Sequence, residues 1–327
     1  MKKISLNTQS YYFYYYFVVK MDSGLEEAKQ MEVAGRYPEA HKCLTDLIGG
    51  ADEDDDSLLA PAYNLRGKVN RMLTQYADAL NDFNQALFYA DNGVDQGESY
   101  IGVADIQRLK KNYPAAHESI QTALSVIRPQ MTLTTAKALD FDGLIFLAEK
   151  NYEAASLRYH QAAAMCETLM HIHPDDKDVK NRYFQALQHI GVVYMMQEQK
   201  DLRKAEDVFT DAYRIAIELD DKQGRINCLA SLGGISMERG NHQNAVIDYS
   251  EAYQILSETK YGRAIVPVAL GLTEAHIALG EAEKARPYWE RFQQGIKDGE
   301  LMPADLEMMQ PQIAKVTELC NGCGLGQ

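Results

Sequence analysis

The chain has one tryptophan and nine prolines in 327 residues, and its five cysteines are few and scattered. Scarce proline leaves room for long uninterrupted helices. Cys43, Cys166, Cys228, Cys320 and Cys323 are odd in number and far apart. Small secreted domains stapled by disulfides look different, so a reducing, cytoplasmic compartment is expected. No apolar run exceeds the nine residues from Tyr11 to Val19. That is less than half of the roughly 20 residues a membrane-spanning helix needs, so no membrane partner is expected. Positive charge is also short: 33 Lys+Arg stand against 47 Asp+Glu, a net charge of −14. A surface so acidic disfavours phosphate backbones and argues against a nucleic-acid partner. GxxxxGK[ST], GxSxG and HExxH are missing. Their absence removes the common phosphate-binding, acyl-transfer and zinc-hydrolase signatures, so neither an enzyme nor a cofactor is expected.

What is present is apolar and helix-forming. Apolar residues make up 46% of the chain, enough for a large core, amid long stretches of Ala, Leu, Glu, Gln and Lys. Residues 1–22 differ from the rest: MKKISLNTQSYYFYYYFVVK carries an aromatic run, mostly tyrosine, before Met21 and Asp22. No small-x-small cleavage site follows the aromatic run, so it is not read as a secretory signal. It is expected to be a disordered extension or to precede a true start at Met21.

Six short echoes mark an internal period: Tyr37 to Ala40, Tyr76 to Ala79, Tyr113 to Ala116, Tyr152 to Ala155, Leu202 to Ala205 and His242 to Ala245. A seventh ends at Ala285. The alanines are 39, 37, 39, 50, 40 and 40 residues apart. The one long step falls where His171-Ile-His-Pro-Asp-Asp176 adds length. Twelve residues before each alanine stands a small residue, namely Ala28, Gly67, Ala104, Gly143, Gly233 or Thr273. In the fifth unit Gly191 lies fourteen before Ala205, which predicts a turn two residues longer. Four after the alanine come Phe83, Ile120, Tyr159, Phe209, Tyr249 and Trp289; seven after it, Ala86, Ala123, Ala162, Ala212 and Ala252. Spacings of four and seven share one helical face. Small residues let two helices approach, and a bulky one fills the space beside them. Each unit is therefore expected to be a helical hairpin. Helix A carries the small residue, Gly35, Asn112, Asn151, Gly240 or Gly280 marks the turn, and helix B opens near Pro38 or Pro114.

These registers resemble those of the tetratricopeptide repeat (TPR) family over seven copies, from about Leu25 to Lys297. Arg66 and Asp142 depart from the family's usual leucine before the small residue, the early tryptophan is missing, and the units exceed the usual 34 residues. Long units of this kind resemble the variants in bacterial peptide-pheromone receptors and kinesin light chains. The resemblance implies an all-α, right-handed α-solenoid of about seven hairpins over residues 23–300, with helix A lining a concave groove. Pro303 to Leu319, with Leu306, Met309, Ile313 and Val316 at helical spacing, is expected to cap it over residues 301–319. Residues 320–327 are expected to be a flexible tail. Self-association is expected only if the capping helix leaves its neighbour uncovered.

On this reading, residues three before, one after and four after each small residue face the groove. Asn64, Lys68, Arg71, Asp105, Arg108 and Asp140 make its first half polar and partly basic. Gln188, Val192, Met195, Met237, Leu270, Glu274 and Ile277 make its second half largely apolar, with adaptable methionines. An extended peptide or amphipathic helix of a partner protein, charged at one end and apolar at the other, would match. Ordinary packing between neighbouring helices is the competing expectation for Leu144, Val192 and Leu270. Asn64 and Lys68 echo part of the clamp by which some TPR proteins hold chaperone C-termini. Glu98, Ile101 and Gly102 stand where it needs basic and amide groups, so that clamp is not expected.

Other signals are weaker. Cys320-Asn-Gly-Cys323 lacks a second ligand pair. His171, His173, Asp175 and Asp176 read as a solvated loop rather than a metal site. Asp52 to Asp56 lacks the calcium-loop pattern and reads as a linker, with Asp55, Asp56 or Ser57 capping the next helix. The leading expectation is a non-enzymatic scaffold for a peptide or helix. The alternatives are a peptide-sensing regulator, and an enzyme whose inward carboxylates Asp105, Asp140 and Glu274 converge in one pocket. About 24 residues before the first unit are too few for a helix-turn-helix domain, which counts against direct transcription control.

Overall fold

A computed structural model describes residues 23–52, 55–127, 132–259 and 264–325, and all regular structure among them is helical. The extension expected over residues 1–22 lies outside the described residues, as do 326 and 327 of the expected tail. The chain divides into two compact units, Met1–Pro174 and Asp175–Gln327. The boundary falls in the one long step of the alanine period.

The N-terminal unit holds four hairpins. Helix α1 spans residues 23–33. It is followed by α2 (Tyr37–Gly50), α3 (Asp56–Met72), α4 (Tyr76–Tyr89), α5 (Gly93–Leu109), α6 (Tyr113–Ile127), α7 (Leu133–Ala148) and α8 (Tyr152–Ile172). The C-terminal unit holds three: α9 (Lys177–Met196) with α10 (Leu202–Glu218), α11 (Lys222–Glu238) with α12 (His242–Glu258), and α13 (Ile265–Ala278) with α14 (Ala282–Lys297). A final helix, α15 (Pro303–Gly322), packs on α13. Several A helices also pack on the next A helix within their unit, α3 on α5 and α5 on α7, then α11 on α13.

The turn inside six of the seven hairpins is built one way. The residue before helix B donates its N–H to the carbonyl five residues back: Arg36 to Met31, Gln75 to Asn70, Asn112 to Gln107, Asn151 to Phe146, Asn241 to Ser236 and Glu281 to His276, all at 2.8–2.9 Å. The residue preceding it is left-handed, as this helix C-terminal motif demands. Gly35, Gly240 and Gly280 suit that conformation, but Thr74, Lys111 and Lys150 adopt it with φ near 60°. In the fifth hairpin Asp201 donates to Tyr194, seven residues back, which accounts for the two extra residues. Asp55 caps α3, and Asp176 caps α9 by accepting from the N–H groups of Asp178 and Val179. Asp176 thus serves helix initiation, while His171 and His173 are exposed around the end of α8.

The register residues meet as their spacing requires. All of the marker alanines are fully buried, and Phe83, Tyr159 and Phe209 are no more than 1% exposed. Phe83 lies against two glycines: a Cβ on Gly67 would fall 2.8 Å from its ring, and one on Gly102, in the next A helix, 2.3 Å. Tyr249 lies likewise between Gly233 and Gly271. One aromatic thus closes its own hairpin and seats the following one. Burial of such a ring contributes about 2–3 kcal/mol.

The expected boundary between cap and tail shifts. Helix α15 continues through Cys320, which is fully buried, and Leu325 packs into the same apolar cluster as Val316, Trp289 and Phe292. Cys320 and Leu325 therefore join the core, with the four residues between them exposed. The reason is apolar burial: Cys320 and Leu325 continue the face begun by Met309, Ile313 and Val316.

Candidate functional site

The three expected rows of helix A differ sharply in access. The row three before the small residue is mostly a packing seam: Asn64, Ile101, Asp140 and Leu270 are buried. Gln188 in that row is half-buried, and its amide lies 3.8 Å from the Cys228 sulfur. The row one after is mixed, with Asp105 and Glu274 buried and Lys68 and Val192 half-buried. The row four after is half-buried, with no fully buried member among Arg71, Arg108 and Leu147 in the N-terminal unit or Met195, Met237 and Ile277 in the C-terminal unit. Asn64, Asp105, Asp140, Leu270 and Glu274, expected to face the groove, are instead buried, because the surrounding helices pack too closely to leave them a free surface.

In the N-terminal unit the charges of α3, α5 and α7 interlock. Glu98 on α5 accepts from Lys68 of α3 at 3.2 Å, and from Lys137 at 2.7 Å and the Thr134 hydroxyl at 2.9 Å, both on α7. Burial alone would push the Glu98 carboxyl up; Lys68, Lys137 and Thr134 together bring it down to about 2. Asp105 accepts from Arg71 at 2.5 Å and from Arg108 at 2.6 and 3.0 Å. Each carboxylate is shared by two cations, so these six side chains carry two net positive charges on a chain of −14. Neither Glu98 nor Lys137 is among the expected groove residues, Glu98 having entered only as a position unfit for the clamp. Both stand six before a small residue (Ala104 and Gly143), one helical turn beyond the expected rows, which is the signal that marks them.

In the C-terminal unit the face is apolar. Val192 and Met195 pack beside Ala205, Phe209 and Ile235, while Met237 and Ile277 border the large cluster around Tyr249 and Trp289. Glu274 is not free: Gln312 donates to it at 3.0 Å and Lys315 at 2.6 Å, both from α15. The terminal helix thus covers the seventh hairpin with polar as well as apolar contacts. Asp105 and Glu274 are each neutralised by cations within their own unit, so neither stands as a free general acid or base.

The two departures, Arg66 and Asp142, also find partners. Arg66 makes two hydrogen bonds to Asp82 on α4, at 2.6 and 3.0 Å, and Asn70 donates to the same carboxylate at 2.8 Å. Asp142 pairs with Arg158 on α8 and with His117 on α6, both at 2.7 Å. Burial pushes the Cys228 thiol up to about 12 and the Cys320 thiol up to about 11, so neither is a thiolate near neutrality. Among the described residues no group of three or more His, Cys, Asp or Glu side chains is placed to hold a metal ion. Among them, too, no helix is long and apolar enough to cross a membrane.

Stacked hairpins with a small residue crossing, an intervening aromatic and a terminal capping helix define an all-α helical-repeat protein. Comparison with solved structures specifies the type. The apo form of RapI aligns with a TM-score of 0.62 at 14% identity, over 82% of this chain and 93% of that one. A Rap protein complexed with competence and sporulation factor aligns at 0.55 and 15%, over 92% and 99%. A STAND signal-transduction ATPase with a tetratricopeptide repeat sensor, from Pyrococcus horikoshii, aligns at 0.64 and 16%; the match covers 84% of this chain and 42% of that protein. The fold is that of the tetratricopeptide repeat, as the registers imply. No family model and no curated protein sequence matches the chain, so the likeness is one of structure.

Proposed function

We propose that the chain is a non-enzymatic binding protein that holds a peptide or helix of a partner protein on the partly exposed row of its A helices. The observation that carries this reading is that the row four after the small residue stays partly exposed while the row three before it is mostly buried, with one chemistry in each unit. Arg71 and Arg108, with Lys68 alongside, offer a face with more cations than carboxylates, suited to an acidic segment. Met195, Met237 and Ile277 offer polarizable apolar side chains that adapt to a partner's apolar face. The same fold in a Rap protein complexed with competence and sporulation factor supports a peptide as ligand. It also supports the narrower reading of a peptide-sensing regulator, and the scattered free cysteines suit a reducing, cytoplasmic setting.

Peptides selected from a displayed library against the full chain test the proposal. Lys68→Ala/Arg71→Ala, which leaves Glu98 its Lys137 and Asp105 its Arg108, should weaken acidic peptides, and Met195→Glu/Met237→Glu apolar ones, each at least tenfold with unchanged circular dichroism. Unchanged affinities in both folded variants would sink it. Small-angle scattering separates the two readings: a sensor contracts on binding, whereas a scaffold keeps its radius of gyration.

A further inference from the structure

A cleft of about 300 Å3 opens in the C-terminal unit between α10, α11 and α12. It is lined by Glu206, Thr210, Leu232, Ser236, Ile247 and Asp248. The register explains why it exists. Asp248 lies three after Ala245, as Asp82 lies three after Ala79. Ser236 lies three after Gly233, as Asn70 after Gly67, and Thr210 five after Ala205, as Thr45 after Ala40. Leu232 precedes Gly233 where Arg66 precedes Gly67.

In the second hairpin these positions converge on one guanidinium. Arg66 is held by Asp82 and lies 3.5 Å from the Thr45 hydroxyl, while Asn70 braces Asp82. The fourth hairpin fills the same two positions with Asp142 and Arg158. The sixth keeps the carboxylate, the brace and the threonine but replaces the arginine with leucine. Asp248 accepts from the Ser236 hydroxyl, and the other charged groups acting on it are the carboxylates Glu251 and Glu206. Glu206 pairs with Arg239. Among the described residues no cation pairs with Asp248. Burial, reinforced by Glu251, pushes its carboxyl up to about 6.

We infer that this cleft receives the guanidinium of an arginine side chain from a partner protein, in the place that Arg66 fills from within in the second hairpin. The charged head lies on Asp248 beside Thr210 and Ser236. The methylene stem lies against Leu232 and the exposed Ile247, an apolar wall that an arginine stem covers. A carboxylate accepts a guanidinium through two parallel hydrogen bonds, as Asp82 does. This site is independent of the A-helix row, because it lies where two B helices flank an A helix.

The probe is the blocked tripeptide Gly-Arg-Gly, with Gly-citrulline-Gly as its uncharged isostere, added to the full chain near pH 7. Carbon NMR of the Asp248 carboxyl reports the contact. The arginine peptide should displace that resonance and lower its midpoint of titration, whereas the citrulline peptide should not. Asp248→Asn should abolish the accompanying amide shifts around Leu232. Leu232→Arg, which supplies the missing partner from within, should abolish the response and raise the denaturation midpoint. Equal responses to both peptides, no response at tens of millimolar peptide, or amide shifts that persist in Asp248→Asn would overturn the assignment.

Discussion

Arg66 grips Asp82 with two hydrogen bonds across the second hairpin, and two hairpins later Asp142 and Arg158 hold the same register positions with the charges exchanged. Both pairs are largely buried, with Asp82 and Asp142 side chains 3% and 6% exposed. Breaking such a pair strands a charge and costs about 3–5 kcal/mol. Arg66→Asp should therefore destabilise the chain strongly, and Arg66→Asp/Asp82→Arg should recover at least half of the loss by reproducing the order of the fourth hairpin. Urea denaturation of the two variants measures the coupling.

Glu98 ties three A helices together, so its charge carries stability. Its folded carboxyl is held at about 2, below the ordinary glutamate value of 4.5. The contribution is complete above pH 4.5 and is lost as pH falls through about 2, because the unfolded chain takes up the proton first. Glu98→Gln should cost roughly 2–3 kcal/mol at pH 7. The gap to the natural chain should narrow between pH 4.5 and 2 in denaturant titrations made across that range.

A Cβ on Gly102 would lie 2.3 Å from the Phe83 ring. Gly102→Ala should destabilise by about 1–3 kcal/mol through overpacking, despite the better helix propensity of alanine. Adding Phe83→Leu makes room at the same spot. The double variant should lose less than the sum of the two single changes, which a thermodynamic cycle from chemical denaturation shows directly.

Thr74 adopts φ 62°, a left-handed conformation that a β-branched side chain resists. Thr74 is exposed, so replacement disturbs no packing. Thr74→Gly should raise stability by about 0.5–1 kcal/mol after the extra chain entropy of glycine is subtracted. A fall in the thermal midpoint would show that the threonine side chain stabilises the turn in some other way.

The fold was legible because close packing dictates composition at fixed intervals. Glycine or alanine must stand where two helices cross, and Phe83, Tyr159, Phe209 and Tyr249 must fill what they leave. Even the longer fifth turn could be read, from the displacement of Gly191 against Ala205. Access was harder to read. Helical spacing says which residues share a stripe, but the depth of each row depends on how close the next A helix comes. That is why Asn64, Asp140 and Leu270 are buried while Arg71 and Met195 stay partly exposed. Ion partners were harder still. Lys68 meets Glu98 across thirty residues and Lys137 meets it across thirty-nine, pairings set by the crossing geometry rather than by local pattern. The cleft at Asp248 was invisible until the Arg66 pair gave its template.

The exchange of charge between Arg66–Asp82 and Asp142–Arg158 bears on how near-identical hairpins avoid mistaking one another. During folding, α3 could in principle dock on α8, and α7 on α4, because the small residues and aromatics would fit almost as well. Such a mispairing would set Arg66 against Arg158, or Asp142 against Asp82, burying like charges together. The inversion therefore acts as a key cut differently for each lock, letting a nearly periodic chain find its own neighbours without sacrificing the shared packing that every repeat requires.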